Sequence, residues 1–140
     1  MFTRRTFCLA ALSAPSLVLA DAPRRGLAWN RTGLPLVFPL HVTTSPGHAY
    51  FVKLASVPGG EDAIAAHFNG GDLFRVLCPP GQYRVSFARG QTWQDERQLF
   101  GPKTEIVEIP EPLEFHTEGF RTRKGWIVDL RDFNRPSILL

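Results

Sequence analysis

The run Cys78-Pro79-Pro80-Gly81-Gln82-Tyr83-Arg84-Val85-Ser86-Phe87 sets Tyr83, Val85 and Phe87 on one side of an extended chain and Gln82, Arg84 and Ser86 on the other. Side chains that alternate apolar and polar at every second position describe a strand with one buried face. Just before it, Leu73 to Cys78 puts Phe74, Val76 and Cys78 on one face, and Pro79-Pro80-Gly81 imposes a turn. Two alternating runs joined by Pro and Gly predict a β-hairpin.

The same period recurs outward from this point. Leu34, Leu36, Phe38, Leu40 and Val42 are apolar at alternate positions, with Pro35 and Pro39 on the opposite phase. Proline cannot donate to a ladder, so this strand is expected at a sheet edge or at a bulge. Tyr50 to Val57 is apolar on both phases, which predicts a more central strand ended by Pro58-Gly59-Gly60, and Thr104 to Ile109 and Trp126 to Leu130 add two more. Glu61 to Phe68 carries acids in a first turn and good helix formers, yet Ile64, Ala66 and Phe68 alternate with Ala65 and His67. Eight residues are too few for helix propensity to outweigh tertiary pairing, so the segment is read as a strand, joined to Leu73 as a hairpin through Asn69-Gly70-Gly71. The fold class is therefore all-β, a single sandwich of about seven short strands over residues 34–140, with 21–33 as a flexible leader arm on the surface.

The 140-residue chain has 44% hydrophobic and 21% charged residues, the composition of one ordinary globular domain. Met1 to Phe7 holds Arg4 and Arg5 and no acid, and Cys8 to Ala20 is apolar or small throughout. That order marks a cleavable signal peptide, too short to span a bilayer, with cleavage after Ala20 preferred to cleavage after Ala22. Thr3-Arg4-Arg5-Thr6-Phe7 resembles the twin-arginine export motif through Arg4, Arg5 and Phe7, while Cys8 and Leu9 stand where that motif usually has Leu and Lys; general secretion is the other route. Either route predicts a periplasmic or secreted protein. Without Arg4 and Arg5 the chain keeps 14 basic and 13 acidic side chains, a net charge of +1. The late cluster Arg121, Arg123, Lys124, Arg131 and Arg135, set against Asp129 and Asp132, reads as a solvated face and is too sparse to predict nucleic-acid binding. Loss of Cys8 leaves Cys78 alone, so the domain is expected to stand on its core with no internal disulfide.

The Cys78 to Phe87 run resembles the Pro-Gly-x-Tyr strand-turn-strand element of carboxypeptidase regulatory-like domains, which have the transthyretin-like, immunoglobulin-related β-sandwich fold. Tyr50-Phe51-Val52-Lys53-Leu54, Gly70-Gly71, Ala88 to Trp93 and Leu99 to Thr104 are similar, in the same order, to a group of small exported bacterial proteins. The likeness spans roughly residues 36–130. It implies the sandwich and brings no catalytic residue with it.

Chemistry is thinly written. No two of His41, His48, His67 and His116 lie two to four residues apart, so no metal site is spelled locally, although His48 with His116 would have to be brought together by the fold. His41 and His67 fall on outward phases and read as surface histidines. Cys78 falls on an apolar phase and reads as a small core residue. None of Ser45, Ser56, Ser86 and Ser137 sits in a nucleophile elbow. Asp95 and Glu96 beside Trp93 are adjacent, not set across a substrate as a glycosidase pair must be. The Gly-Gly pairs lack the long helix and lysine of a phosphate loop. The expectation is an exported, non-catalytic binding or accessory module without a cofactor, whose partner is a protein or a saccharide; a structural subunit of an envelope assembly and a small enzyme with a spatially assembled site are the rivals.

The longest interval between strands, Gln91 to Pro102, carries the candidate binding residues Trp93 and Phe100 on either side of a charged middle. Both rings are expected to fold back as a lid over the open end of the sandwich. The competing reading makes Trp93 an exposed anchor for a partner or saccharide.

Overall fold

A computed structural model describes residues 25–71, 73–118 and 122–139. The export signal, with Arg4, Arg5 and Phe7, lies outside the described residues, as does Arg121 of the basic cluster. The described strands run from two to ten residues, and among the described residues the only helical turn is a 3-10 turn at Gly101–Lys103. The chain is all-β, as its period-two pattern predicts.

In chain order the strands are β1 (Gly26–Asn30), β2 (Phe38–Thr43), β3 (Ala49–Ser56), β4 (Asp62–Asn69), β5 (Phe74–Cys78) and β6 (Gly81–Gly90), then β7 (Glu105–Glu108), β8 (Leu113–Phe115), β9 (Thr117–Glu118), β10 (Thr122–Arg123), β11 (Trp126–Asp129) and β12 (Ser137–Leu139). A six-stranded sheet runs β1-β4-β3-β6-β7, with β8 also pairing β6, and a four-stranded sheet runs β12-β11-β2-β5. Strands β9 and β10 form a separate two-stranded ribbon. The described strands thus exceed the seven expected, because β7 and β8 share the flank of β6 and the C-terminal region adds short pieces too brief to show a period.

One core joins the two sheets. Tyr50, Val52, Leu54, Ile64, Ala66, Phe68, Val85 and Phe87 enter it from the six-stranded sheet, and Phe38, Leu40, Val42, Phe74, Val76, Cys78 and Val128 from the four-stranded one. The Tyr50 ring stacks on Phe68 at 5.1 Å and Phe68 on Phe74 at 4.4 Å, so one aromatic column passes from sheet to sheet. Burial of these alternating faces is what the period-two signal encodes.

Four expectations change. β5 and β6 do not form a hairpin: β5 pairs β2 and β6 pairs β3, so Pro79-Pro80 carries the chain from one sheet to the other. Both strands aim their apolar phase into the same core from opposite sides, and alternation cannot distinguish that arrangement from a hairpin. The Tyr83 hydroxyl donates to the Pro80 carbonyl at 2.7 Å and fixes the corner. Likewise Asp62–Asn69 is a strand, as expected, but it pairs β3 and β1, and Asn69-Gly70-Gly71 leads across to the other sheet.

The Pro39 strand is also interior instead of lying at an edge, since β2 lies between β11 and β5. Its parallel pairing with β11 begins only at Leu40, so Pro39 faces a neighbouring strand on the β5 side alone. Across from it Gly125 makes close backbone approach, where an added Cβ would fall 2.6 Å from Pro39 Cγ. Finally, the expected leader arm contributes β1, which pairs antiparallel with β4 from Gly26 opposite His67 to Asn30 opposite Ile64. Backbone pairing and the Trp29 side chain hold a segment whose composition alone reads as loop.

Candidate functional site

A second, smaller apolar cluster lies on the outer face of the six-stranded sheet. Phe51 of β3, Ala65 of β4 and Ala88 of β6 point away from the main core, and Phe100 closes over them, with Trp29, Ala49, Trp93 and Leu99 packed around. On most two-layer sheets this face is polar. Here it is covered by the Gln91 to Lys103 loop.

Local contacts build the loop. The Asp95 carboxylate accepts from the backbone N–H of Arg97 at 2.9 Å and of Gln98 at 2.6 Å, and the Leu99 N–H donates to the Asp95 carbonyl at 2.7 Å. An Asp at the head of a tight turn satisfies donors that would otherwise face solvent. Leu99 takes a positive φ of 57°, which reverses the chain and delivers Phe100 to the sheet. The Thr104 hydroxyl accepts from the Phe100 N–H at 2.9 Å and donates to the Gly101 carbonyl at 2.7 Å, closing the far end. Phe100 lies directly on the backbone of Gly90, where an added Cβ would fall 2.6 Å from the ring carbon Cγ.

Trp93 and Phe100 therefore come together, their ring centroids 5.3 Å apart and nearly perpendicular. They form a lid, but over the outer face of a sheet and not over the open end between the sheets. Phe100 is 7% exposed, whereas Trp93 stays half-buried. Beneath Trp93 is His67, its ring 4.6 Å away edge-on, and Phe51 completes a three-ring cluster at 4.8 Å from His67 and 4.9 Å from Trp93. The outward phase of His67 is as expected, but at 9% exposure it is no surface histidine. The loop buries it, a long-range effect that strand phase cannot reveal. Its imidazole makes no hydrogen bond among the described residues, and burial lowers its pKa, opposed in part by the Glu96 carboxylate.

The polar rim comes from segments far apart in sequence. The Trp29 indole N–H donates to Glu96 at 2.7 Å, the Arg31 guanidinium lies over the Trp29 ring at 3.7 Å, and Arg31 is 3.9 Å from both Glu96 and Asp62. Lys53 pairs with Asp62 at 3.6 Å. Asp95 and Glu96 thus do different work: one caps the loop and the other reaches the edge strand. Trp29, Arg31 and His67 are the members that sequence reasoning missed. The available signal was a tryptophan inside an otherwise polar arm.

The other candidates stay apart from this face. Cys78 is buried in the main core, and desolvation pushes its thiol up to about 12, far from a reactive thiolate. Asp129 is held down at about 2 by hydrogen bonds from the Arg131 side chain and backbone N–H, an exposed pair. Among the described residues there is no group of three or more His, Cys, Asp or Glu placed to hold a metal ion, and no helix long and apolar enough to cross a membrane.

The chain matches no protein-family model, no curated protein and no solved structure.

Proposed function

We propose that this chain is an exported, non-catalytic binding or accessory module, a two-sheet β-sandwich of the transthyretin-like kind, that presents the loop-covered outer face of its six-stranded sheet to a partner. The observation that carries the reading is the half-buried Trp93, anchored on Phe51 and Phe100 and bordered by Trp29, Glu96 and Arg31. A large ring with one side seated and the rest open, beside fixed charged groups, is how recognition loops combine apolar contact with polar specificity. The export part of the proposal rests on Thr3-Arg4-Arg5-Thr6-Phe7 and the apolar run that follows.

Titration of the mature chain with neutral oligosaccharides and with short peptides, followed by tryptophan emission and calorimetry, tests the binding face. Saturable binding that is lost in Trp93→Ala and Glu96→Ala, both still folded by circular dichroism, supports it. Binding unaffected by either substitution places the partner elsewhere. Export is tested separately by Arg4→Lys with Arg5→Lys, which keeps the charge: retention in the cytoplasm supports the twin-arginine route, and undiminished export assigns general secretion.

A second reading, a structural subunit of an envelope assembly, draws on the apolar side chains near sheet edges. Leu73, just before β5, is 60% exposed, Leu77 on β5, an end strand of its sheet, is 38% exposed, and Ile106 on β7 is 63% exposed. End strands with apolar side chains can pair with a neighbouring chain. Concentration-dependent assembly of the purified chain, abolished by Leu77→Lys, would favour it.

A further inference from the structure

We propose that the Gln91 to Lys103 loop is a pH-released cover: protonation of His67 beneath Trp93 loosens the loop and bares the apolar patch of Phe51, Ala65 and Ala88. The inference rests on the reading of this face as the binding face and goes beyond it: opening exchanges the Trp93–Glu96 surface for the apolar one beneath, so pH selects which of the two is presented.

The argument begins with what His67 meets. Its ring packs against both Phe51 and Trp93, which also touch each other, nine-tenths of its surface is buried, and none of the described residues gives it a hydrogen bond. A neutral imidazole tolerates such a slot. An imidazolium there would be hydrated only through the small part of the ring left exposed and would otherwise gain only ring contacts.

The charged groups around it do not remove that penalty. From the loop come Asp95, Glu96 and Arg97. Asp95 is committed to the turn, and Glu96, the one carboxylate that favours the charged imidazole, already accepts from Trp29 and lies 3.9 Å from Arg31. From β3 comes Lys53, a like charge, paired with Asp62 of β4. β1 brings Gly26 opposite His67, with Arg25 just before it and Arg31 just after the strand. β6 presents Ala88, uncharged, while Arg84 farther along that face pairs with Glu108 of β7. The single carboxylate that favours the charged ring does not offset its burial, so protonation is relieved by opening, which returns the ring to water.

Opening breaks no strand pairing. The loop has no hydrogen-bonded strand partner, and it is held by the packing of Trp93, Leu99 and Phe100, by the Trp29–Glu96 bond with the Arg31–Glu96 pair, and by the Gln91 amide donating to the Gly47 carbonyl at 2.9 Å. If the open loop restores an ordinary imidazole near 6.5, the open population rises by up to about tenfold per pH unit below that value until the closed form also takes a proton.

Amide hydrogen exchange of the full chain, with no ligand present, tests the cover directly. The amides of Gln94, Leu99 and Thr104, each bonded within the loop, report its opening, and those of Val52 and Phe87 report the sheet. Loop protection factors should lie below those of the sheet and should fall about five- to tenfold from pH 7.5 to 5.5, with a midpoint that tracks the His67 ring resonance. His67→Phe, which fills the slot without titrating, should abolish the pH response. Glu96→Gln removes the group that favours the charged ring and should move the midpoint to lower pH, which keeps the test intact if His67→Phe does not fold. Loop protection equal to that of the sheet, or a response that persists in His67→Phe or keeps its midpoint in Glu96→Gln, would overturn the proposal. Because no partner is needed, the cover and the binding reading stand or fall separately.

Discussion

The indole N–H of Trp29 reaches the carboxylate of Glu96 at 2.7 Å across 67 positions of sequence. This bond joins the first described strand to a loop that begins only after β6, and it turns two unremarkable segments into one surface. Its removal should cost about 0.5–1.5 kcal/mol, the range for a solvent-accessible hydrogen bond. Trp29→Phe and Glu96→Ala should each destabilise by that order, and the double variant by clearly less than their sum, measured by urea unfolding. Additive losses would show that the bond contributes nothing of its own.

Phe100 and Trp93 should separate in cost although they share a cluster. Phe100→Ala empties a buried site on the Gly90 backbone and should cost about 3–5 kcal/mol, while half-buried Trp93→Ala should cost about 2 kcal/mol. Gly90→Ala thrusts a methyl group against Phe100 Cβ and Cγ and should lose about 1–3 kcal/mol. Equal losses for Trp93 and Phe100 would contradict the difference in their burial.

His67 should make stability depend on pH with a definite sign. Its folded pKa is lowered by burial, so the unfolded chain takes up the proton first as pH falls. The contribution is complete above about 6.5, declines as pH falls through the folded value, and is flat below it, with a slope of at most about 1.4 kcal/mol per pH unit. Denaturation midpoints at pH 8, 6.5 and 5 should reveal this component as the difference between the parent and His67→Phe. A difference that does not vary with pH would refute it.

Cys78 should behave as a core side chain. With its thiol pushed up to about 12 by desolvation, the native protein at pH 8 should react with a disulfide reagent orders of magnitude more slowly than the unfolded chain. Cys78→Ser places an uncompensated hydroxyl opposite Phe38 and should cost about 1–3 kcal/mol, whereas Cys78→Ala should cost less than Ser. Rapid labelling of folded protein would show that the site opens readily.

In β2 to β7 and β11 the extended positions were legible in the sequence, and in β2, β5 and β6 so was the inward face. Phe74, Val76 and Cys78, like Tyr83, Val85 and Phe87, are inside as their alternation requires, because side-chain period is a local property of an extended chain. The loop bulk of Trp93 and Phe100 could be read in the same way. Partnership could not. Two strands aimed at one core look alike whether they pair or oppose each other, so only the tertiary structure sent β5 and β6 to different sheets and placed the Pro39 strand inside one. Nor does phase report what lies above an outward residue: His67 is buried by a loop two strands further along the chain, and Trp29 is drawn into that surface by pairing of β1 with β4 and by Glu96. Those contacts are long-range, and their energy exists only when distant segments have been brought together.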